Sequence, residues 1–263
     1  MVAGAEAGAG PPILLLHGLG GTWQYWSRTM ELLAASARCI ALDLPGFGES
    51  DTPPGGFTLD SASDRLAAAL RALGGAPAVV CGHSLGGPLA ARFAIRHPDA
   101  VSRVVLVGPS GLAPAPAWQL RVLGVVPAYN LLQHVPFTWE RALLAIAPLR
   151  RAGLGLLVDT PAAVDPEMVL RLLAGARQAR AISAALAASF ATGLDDDAPL
   201  VPAPIAAIWG DRDRMVPPSD AEILKQVVPS ASIHLLPACG HLPMVERPEA
   251  FAVLLRRLAV GDA

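Results

Sequence analysis

The chain of 263 residues is short of charge and of cysteine, and each shortage excludes something. Charged residues make up 16% against 53% hydrophobic, with a mean hydropathy of +0.46. That rules out a disordered polymer and leaves a globular chain, greasier than most soluble proteins. The formal net charge is −2 and the sequence pI about 6.3. With no basic stripe, a nucleic-acid partner is not expected. The three cysteines, Cys39, Cys81 and Cys239, are odd in number. They stand in or beside apolar runs and show neither a disulfide framework nor metal-ligand spacing, so they read as small hydrophobes. No metal and no cofactor are expected, and a reducing cytoplasm fits best. The opening MVAGAEAGAGPP lacks a basic n-region and an apolar h-region, so it does not read as a signal peptide. The longest uncharged stretch, Val122 to Trp139, is interrupted by Pro127 and Pro136 and carries Asn130, Gln133 and His134. It does not read as a transmembrane helix. No internal repeat is present.

Short, nearly all-apolar runs do recur: Ile13–Leu16, Cys39–Leu42, Ala78–Cys81, Val104–Val107, Ile205–Trp209 and Ile233–Leu236. Each is bounded by Gly, Pro or Asp, as strands buried on both faces are. Helix-like stretches lie between them, at Ser27–Ala37, Leu59–Leu73, Leu85–Arg96, Ser219–Val227 and Pro248–Leu258. This alternation predicts an α/β fold with a mostly parallel sheet covered by helices on both faces. It breaks between about Ala113 and Val201, where Ala/Leu/Arg-rich patterns such as Pro166–Phe190 stand instead. Residues 1–112 and 202–263 are therefore expected to form the core domain, and 113–201 an inserted helical cap. Asp195–Asp197, followed by Pro199, Pro202 and Pro204, reads as a solvated exit linker.

The sharpest local signal is Gly82-His83-Ser84-Leu85-Gly86-Gly87, preceded by a strand run and followed by a helix pattern. A serine on a sharp strand-to-helix turn presents its hydroxyl in a strained backbone conformation. Side chains two positions away on either side would collide, which calls for Gly82 and Gly86. The helix that follows points its N-terminal dipole at the site, and the Leu85 N–H becomes one donor for a developing oxyanion. The first strand run ends in His17-Gly18-Leu19-Gly20-Gly21, a loop placed to supply a second donor from the Leu19 N–H. His17 reads as a brace for that loop. No P-loop lysine follows it, which sets phosphate binding aside.

Serine is a weak nucleophile at neutral pH and needs an imidazole to take its proton; the imidazole needs a carboxylate to fix its tautomer. His241, beside Gly240 and after the last strand run, is the base expected. His83, His97, His134 and His234 read as structural. Two carboxylates compete for the third role, Asp211 and Asp213, both after the fifth run. Aspartate at the first of these positions also suits a tight turn.

Five blocks now stand in order: His17-Gly18-Leu19-Gly20-Gly21, Asp43-Leu44-Pro45-Gly46-Phe47-Gly48-Glu49-Ser50, Gly82 to Gly87, Trp209 to Pro217, and Gly240 to Pro248. Together they resemble the capped serine α/β-hydrolases, which include small-molecule esterases and C–C bond hydrolases. The chain order Ser, Asp, His is the order of that family. The resemblance places the acid four residues before the proline of Val216-Pro217, at Asp213, and makes Asp43 with Gly46 and Gly48 a shaping loop. It also implies two antiparallel strands before the Ile13 strand. Only twelve residues precede Ile13, so a shortened sheet edge is expected, with a fragment of the second strand and without the first. Haloalkane dehalogenases and epoxide hydrolases of this fold carry aspartate at the nucleophile position; Ser84 argues against both.

The implied chemistry is acyl transfer to water through Ser84, without cofactor. From Val104 to Trp139 the only charged residue is Arg121, and Trp118, Phe137 and Trp139 lie in or near this stretch. An apolar cap over the catalytic edge points to an apolar or aromatic ester, thioester or lactone as the small-molecule partner. The same residues would equally form the cap's own core. A C–C bond hydrolase and a perhydrolase of the cofactor-free haloperoxidase type use the same triad. A ligand-binding protein or a biosynthetic cyclase on this fold is the alternative of another class.

Overall fold

A computed structural model of the chain describes residues 1–112, 154–191 and 193–260. Its centre is a seven-stranded sheet in the order β1-β3-β2-β4-β5-β6-β7. The strands are β1 (Gly4–Ala7), β2 (Pro12–Leu16), β3 (Arg38–Leu42), β4 (Ala78–His83), β5 (Val101–Val107), β6 (Ile205–Gly210) and β7 (Ser232–Leu236). β1 pairs antiparallel with β3; the other ladders are parallel. All six apolar runs of the sequence are strands. One four-residue strand, β1, precedes β2 and forms the N-terminal edge of the sheet. At this edge Arg38 grips Glu6 through two hydrogen bonds of 2.7 and 3.0 Å, which puts charge on an otherwise open strand.

Side chains alternate across the sheet and feed two apolar layers. Leu14, Leu16, Ile40, Val80 and Leu106 face α2 (Leu59–Ala72), α3 (Gly86–Arg96) and α7 (Asp220–Val227). Ile13, Leu15, Cys39, Cys81 and Val105 face α1 (Ser27–Leu33) and α8 (Pro248–Val260). Both faces being covered explains why these strands read as unbroken apolar runs rather than alternating ones. The strand order reverses between β2 and β4, which neighbour each other although β3 lies between them in sequence. Crevices at such reversals, beyond the carboxyl ends of the strands, are where open α/β sheets bind ligands.

The expected cap, 113–201, is described only in part: residues 113–153 and 192 lie outside the described residues, and with them Trp118, Arg121, Phe137, Trp139 and the 122–139 stretch. From residue 154 the described part of the insertion runs through turns and a 3-10 helix (Pro161–Ala163) into α-helices from Pro166 onward. The single pattern expected over Pro166–Phe190 is two helices, α4 (Pro166–Arg177) and α5 (Ile182–Ala191). They part where the Ala181 N–H bonds the Gly46 carbonyl at 3.0 Å, docking the insertion on the Asp43 loop. Gly46 has φ +83°, and a Cβ there would lie 2.4 Å from that of Ala181. A four-residue α6 (Leu194–Asp197) follows. Here the expectation of a solvated acidic linker is corrected in part: Asp196 is exposed, but Asp197 is buried and meets Arg92 of α3 at 3.0 Å. Among the described residues, no helix is long and apolar enough to cross a membrane.

Candidate active site

Three loops meet at the β2/β4 reversal. Ser84, directly after β4, has φ +52°, a left-handed conformation that L-residues rarely adopt. Its neighbours hold it there. The Ser84 N–H donates to the Val107 carbonyl at 3.0 Å, and the Ser84 carbonyl accepts from Gly87 (2.9 Å) and Ser110 (3.2 Å). Such strain costs of order 1–3 kcal/mol and persists only where the surroundings over-determine it. The glycines on either side answer to close approach. A Cβ on Gly82 would stand 2.0 Å from the Gly86 carbonyl oxygen, and one on Gly86 2.6 Å from that of Leu16.

The loop after β2 is a tight turn closed by Gly21 N–H to Gly18 O at 3.1 Å, with Gly20 at φ +71°. Leu19 stands at its crest. His17 braces it from below. The Leu44 N–H donates to His17 Nε2 (2.9 Å), so Nδ1 carries the proton and donates to Gly18 O (2.8 Å). Burial pushes this imidazole down to about 4, against a smaller upward pull from the Gly18 carbonyl. Asp43 shapes the adjoining loop. Its two oxygens accept from the amides of Trp23 and Glu49, and a Cβ on Gly48 would collide with it at 2.2 Å.

Asp213 and His241 come together from the ends of β6 and β7, with Asp213 Oδ2 at 2.7 Å from His241 Nδ1. Both are buried. The other carboxylate oxygen accepts the amides of Met215 and Val216, each at 2.9 Å. Asp213 is thus anchored by main chain on one side and presents its remaining oxygen to the imidazole. A carboxylate only accepts, so His241 Nδ1 carries a proton, and in the neutral tautomer this leaves Nε2 as the acceptor. Arg212 and Arg214, which flank Asp213, turn away to Asp159 on the insertion at 2.8 and 3.3 Å. Asp211, the competing carboxylate, is exposed and accepts from the Cys239 amide at 3.2 Å. The His241 loop is held from outside by Glu246, whose oxygens accept from the amides of Gly240 (2.6 Å) and Thr160 (2.7 Å).

Ser84, Leu19 and Leu85 line one cavity. Ser110, Met215 and Val216 complete its sheet side, and Leu186 and Ser189 of α5 reach it from the insertion. Sequence reasoning did not single out Ser110, Met215, Val216 or Glu246. Glu246 lies inside the last of the five blocks; a glutamate accepts hydrogen bonds by its nature, but nothing local tells which amides it will find. Three of the histidines read as structural do make structural contacts: His83 reaches the His241 carbonyl, His97 pairs with Asp64, and His234 meets Ser232. His134 lies outside the described residues. The three cysteines are free and buried. Among the described residues, no three His, Cys, Asp or Glu side chains are spaced to hold a metal ion.

A parallel sheet with helices on both faces, a serine at a strained strand–helix turn and an aspartate–histidine pair on the following strand ends define a class of hydrolytic enzyme. The sequence family described as alpha/beta hydrolase fold matches residues 11–248, and the chain belongs to it. The 2-hydroxymuconate semialdehyde hydrolase of Pseudomonas sp. (strain CF600) is 31% identical, over 98% of this chain and 90% of that protein. The pimeloyl-[acyl-carrier protein] methyl ester esterase of Aromatoleum aromaticum is 34% identical, over 95% of this chain and 99% of its own length. Among solved structures, a thermophilic esterase from Thermogutta terrifontis superposes with a TM-score of 0.77 at 24% identity, covering 98% of this chain and 92% of that one. That likeness concerns the fold. By family and by these relatives the protein is a hydrolase.

Proposed function

We propose that the protein is a serine hydrolase that cleaves an ester, thioester or lactone of a small, largely apolar substrate through an acyl-enzyme on Ser84. The observation that carries this reading is a strained serine lining the cavity, with a buried Asp213–His241 pair 2.7 Å apart whose imidazole stands 4.7 Å from the ring of His83, the residue before Ser84. In this mechanism His241 Nε2 takes the Ser84 proton as Oγ attacks the substrate carbonyl. Asp213 keeps the tautomer and stabilises the imidazolium. The N–H groups of Leu19 and Leu85 hold the oxyanion, with the N-terminus of α3 behind Leu85. His241 then protonates the leaving alcohol. In the second half, water attacks the acyl carbon, gives its proton to His241, and Ser84 departs with that proton restored. The amide anchors of Asp213 and the outward turn of Arg212 and Arg214, which leave the imidazole as its side-chain partner, support that role. Residues 113–201 are proposed as the cap that bounds the substrate. Leu186 and Ser189 at the cavity support that reading. A cytoplasmic location is proposed with it.

One relative gives the second reading its footing: a C–C bond hydrolase would use the same residues on a diketone-like substrate, and a 2-hydroxymuconate semialdehyde hydrolase is 31% identical. The test is turnover of p-nitrophenyl esters from acetate to dodecanoate, wild type beside Ser84→Ala. Hydrolysis lost in Ser84→Ala is the expected result, and the optimum chain length sizes the pocket. Folded wild type that hydrolyses no ester, yet cleaves a C–C bond of 2-hydroxymuconate semialdehyde, would replace the ester reading with C–C hydrolysis.

A further inference from the structure

His83, between Gly82 and Ser84, has no part in the chemistry above, yet its surroundings are specific. Its Nε2 lies 2.9 Å from the main-chain carbonyl oxygen of His241. A carbonyl only accepts, so Nε2 carries the proton and donates. Nδ1 is then a bare acceptor, and it is buried without a hydrogen-bond partner. The His83 ring sits 4.7 Å from the His241 ring, tilted by 52°. Gly18 passes so close that a Cβ there would stand 2.9 Å from His83 Nδ1. The oxyanion loop, the nucleophile turn and the base loop therefore all touch this one imidazole. A buried nitrogen with no partner is costly, so a ring kept only for packing would be better apolar.

We propose that His83 is a positioning residue: its Nε2–H ties the His241 main chain to the nucleophile turn and so sets the base relative to Ser84. The proposal rests on the assignment of Ser84 and His241 made above. The titratable groups facing His83 are His17 on the oxyanion loop, Tyr25 beyond it with its ring 6.3 Å away, and His241 with Asp213 behind it. Burial first, and the neighbouring charge of His241 second, hold the His83 imidazole well below the ordinary histidine range. It stays neutral while His241 becomes cationic, which spares the imidazolium a like charge in contact. The donor that a carbonyl needs is thus supplied by a group that does not compete for the Ser84 proton.

The test separates the two nitrogens. Glutamine places its amide nitrogen where Nε2 of histidine stands; asparagine places it where Nδ1 stands. Both variants are polar, and both are to be checked for folding by melting temperature. His83→Asn is expected to lower kcat for a p-nitrophenyl ester by about 10- to 100-fold with KM within about threefold, since a misplaced catalytic group costs on that scale. His83→Gln is expected to return kcat to within about threefold of wild type. The second-order rate of Ser84 labelling by a fluorophosphonate should follow the same order, and it needs no ester turnover. Equal rates in the two variants, or losses that track melting temperature alone, would overturn the proposal. If the wild type is labelled but hydrolyses no ester, the substrate reading falls and the labelling rates decide on His83. A wild type that is not labelled overturns both.

Discussion

Replacing His17 with glutamine should flatten the acid limb of the stability curve while costing stability near neutrality. The native imidazole is fully buried, donates from Nδ1 to Gly18 O and accepts at Nε2 from the Leu44 amide. Protonation would turn that acceptor into a donor facing a donor, and would place a charge where no water reaches. The folded pKa accordingly stands at about 4 against 6.5 for the ordinary group. Between those values the unfolded chain binds a proton that the native state refuses, so stability falls as pH falls through the window. At about 1.4 kcal/mol per unit, lowering the pH from about 7.5 to about 5 removes about 2 kcal/mol through this residue alone. Glutamine has no proton to gain. It can keep the Leu44 bond but not the one to Gly18, a loss of about 1 kcal/mol at neutral pH. Urea unfolding followed by the fluorescence of buried Trp26 and Trp209 gives both free energies at each pH. His17→Gln should be the less stable protein at about pH 7.5 and the more stable one at about pH 5. Other titrating groups, His83 included, cancel in the difference. A wild-type-minus-variant difference that stays constant across the window would refute the argument.

Three further outcomes follow from the geometry. Asp213→Asn should leave the melting temperature nearly unchanged and lower kcat by about 10⁴, because the amide can no longer fix the His241 tautomer; a loss below about tenfold in ester turnover would exclude Asp213 from the proposed role. Gly108 has φ +46°, and a Cβ there would lie 3.1 Å from Asp213 Oδ2 and 3.3 Å from His241 Nδ1. Gly108→Ala should therefore cut ester turnover by more than its shift in melting temperature explains, measured on the same preparation. The Ser110 hydroxyl is buried without a partner, so Ser110→Ala should be neutral or stabilising by up to about 1 kcal/mol in urea unfolding, and a loss of more than that would mean the hydroxyl has a partner in solution.

The parts of the fold that could be read from the sequence are those where burial imposes a local pattern. Leu14, Leu15 and Leu16 are all fully buried, because β2 sits mid-sheet with helices on both sides; that is why the run is unbroken. The nucleophile turn is legible for a similar reason: a Cβ on Gly82 would stand 2.0 Å from the Gly86 carbonyl oxygen, which leaves no residue but glycine, and the demand is written within five positions. Asp197 misled because its partner, Arg92, lies on another helix far away in sequence, and an acidic run looks the same whether solvated or paired. The break between α4 and α5 was invisible because Ala181 bends to meet Gly46, again a distant contact. Periodicity carries information about faces; it carries none about which loop an amide will find.

The same distinction separates the chemistry of the proposed site from its selectivity. Every group assigned to bond making follows a strand and is held by main-chain hydrogen bonds, that of His241 coming from the insertion. Asp213 is gripped by the Met215 and Val216 amides, His241 through its own amide to the Leu157 carbonyl at 2.8 Å, and Ser84 through Val107. Main-chain restraints depend little on side-chain identity beyond the glycines that let the loops approach, so these positions can stay fixed while the rest of the sequence drifts. The far wall of the cavity is different: Leu186 and Ser189 stand on α5, and that end of the insertion docks on the Asp43 loop through the Ala181 amide on the Gly46 carbonyl and Arg180 on the Ser50 carbonyl at 2.6 Å. Changes of substrate should therefore enter through side chains of the insertion, where volume and polarity can vary without disturbing the sheet. An esterase and a C–C hydrolase as relatives of one chain at about equal identity are what such a division of labour produces.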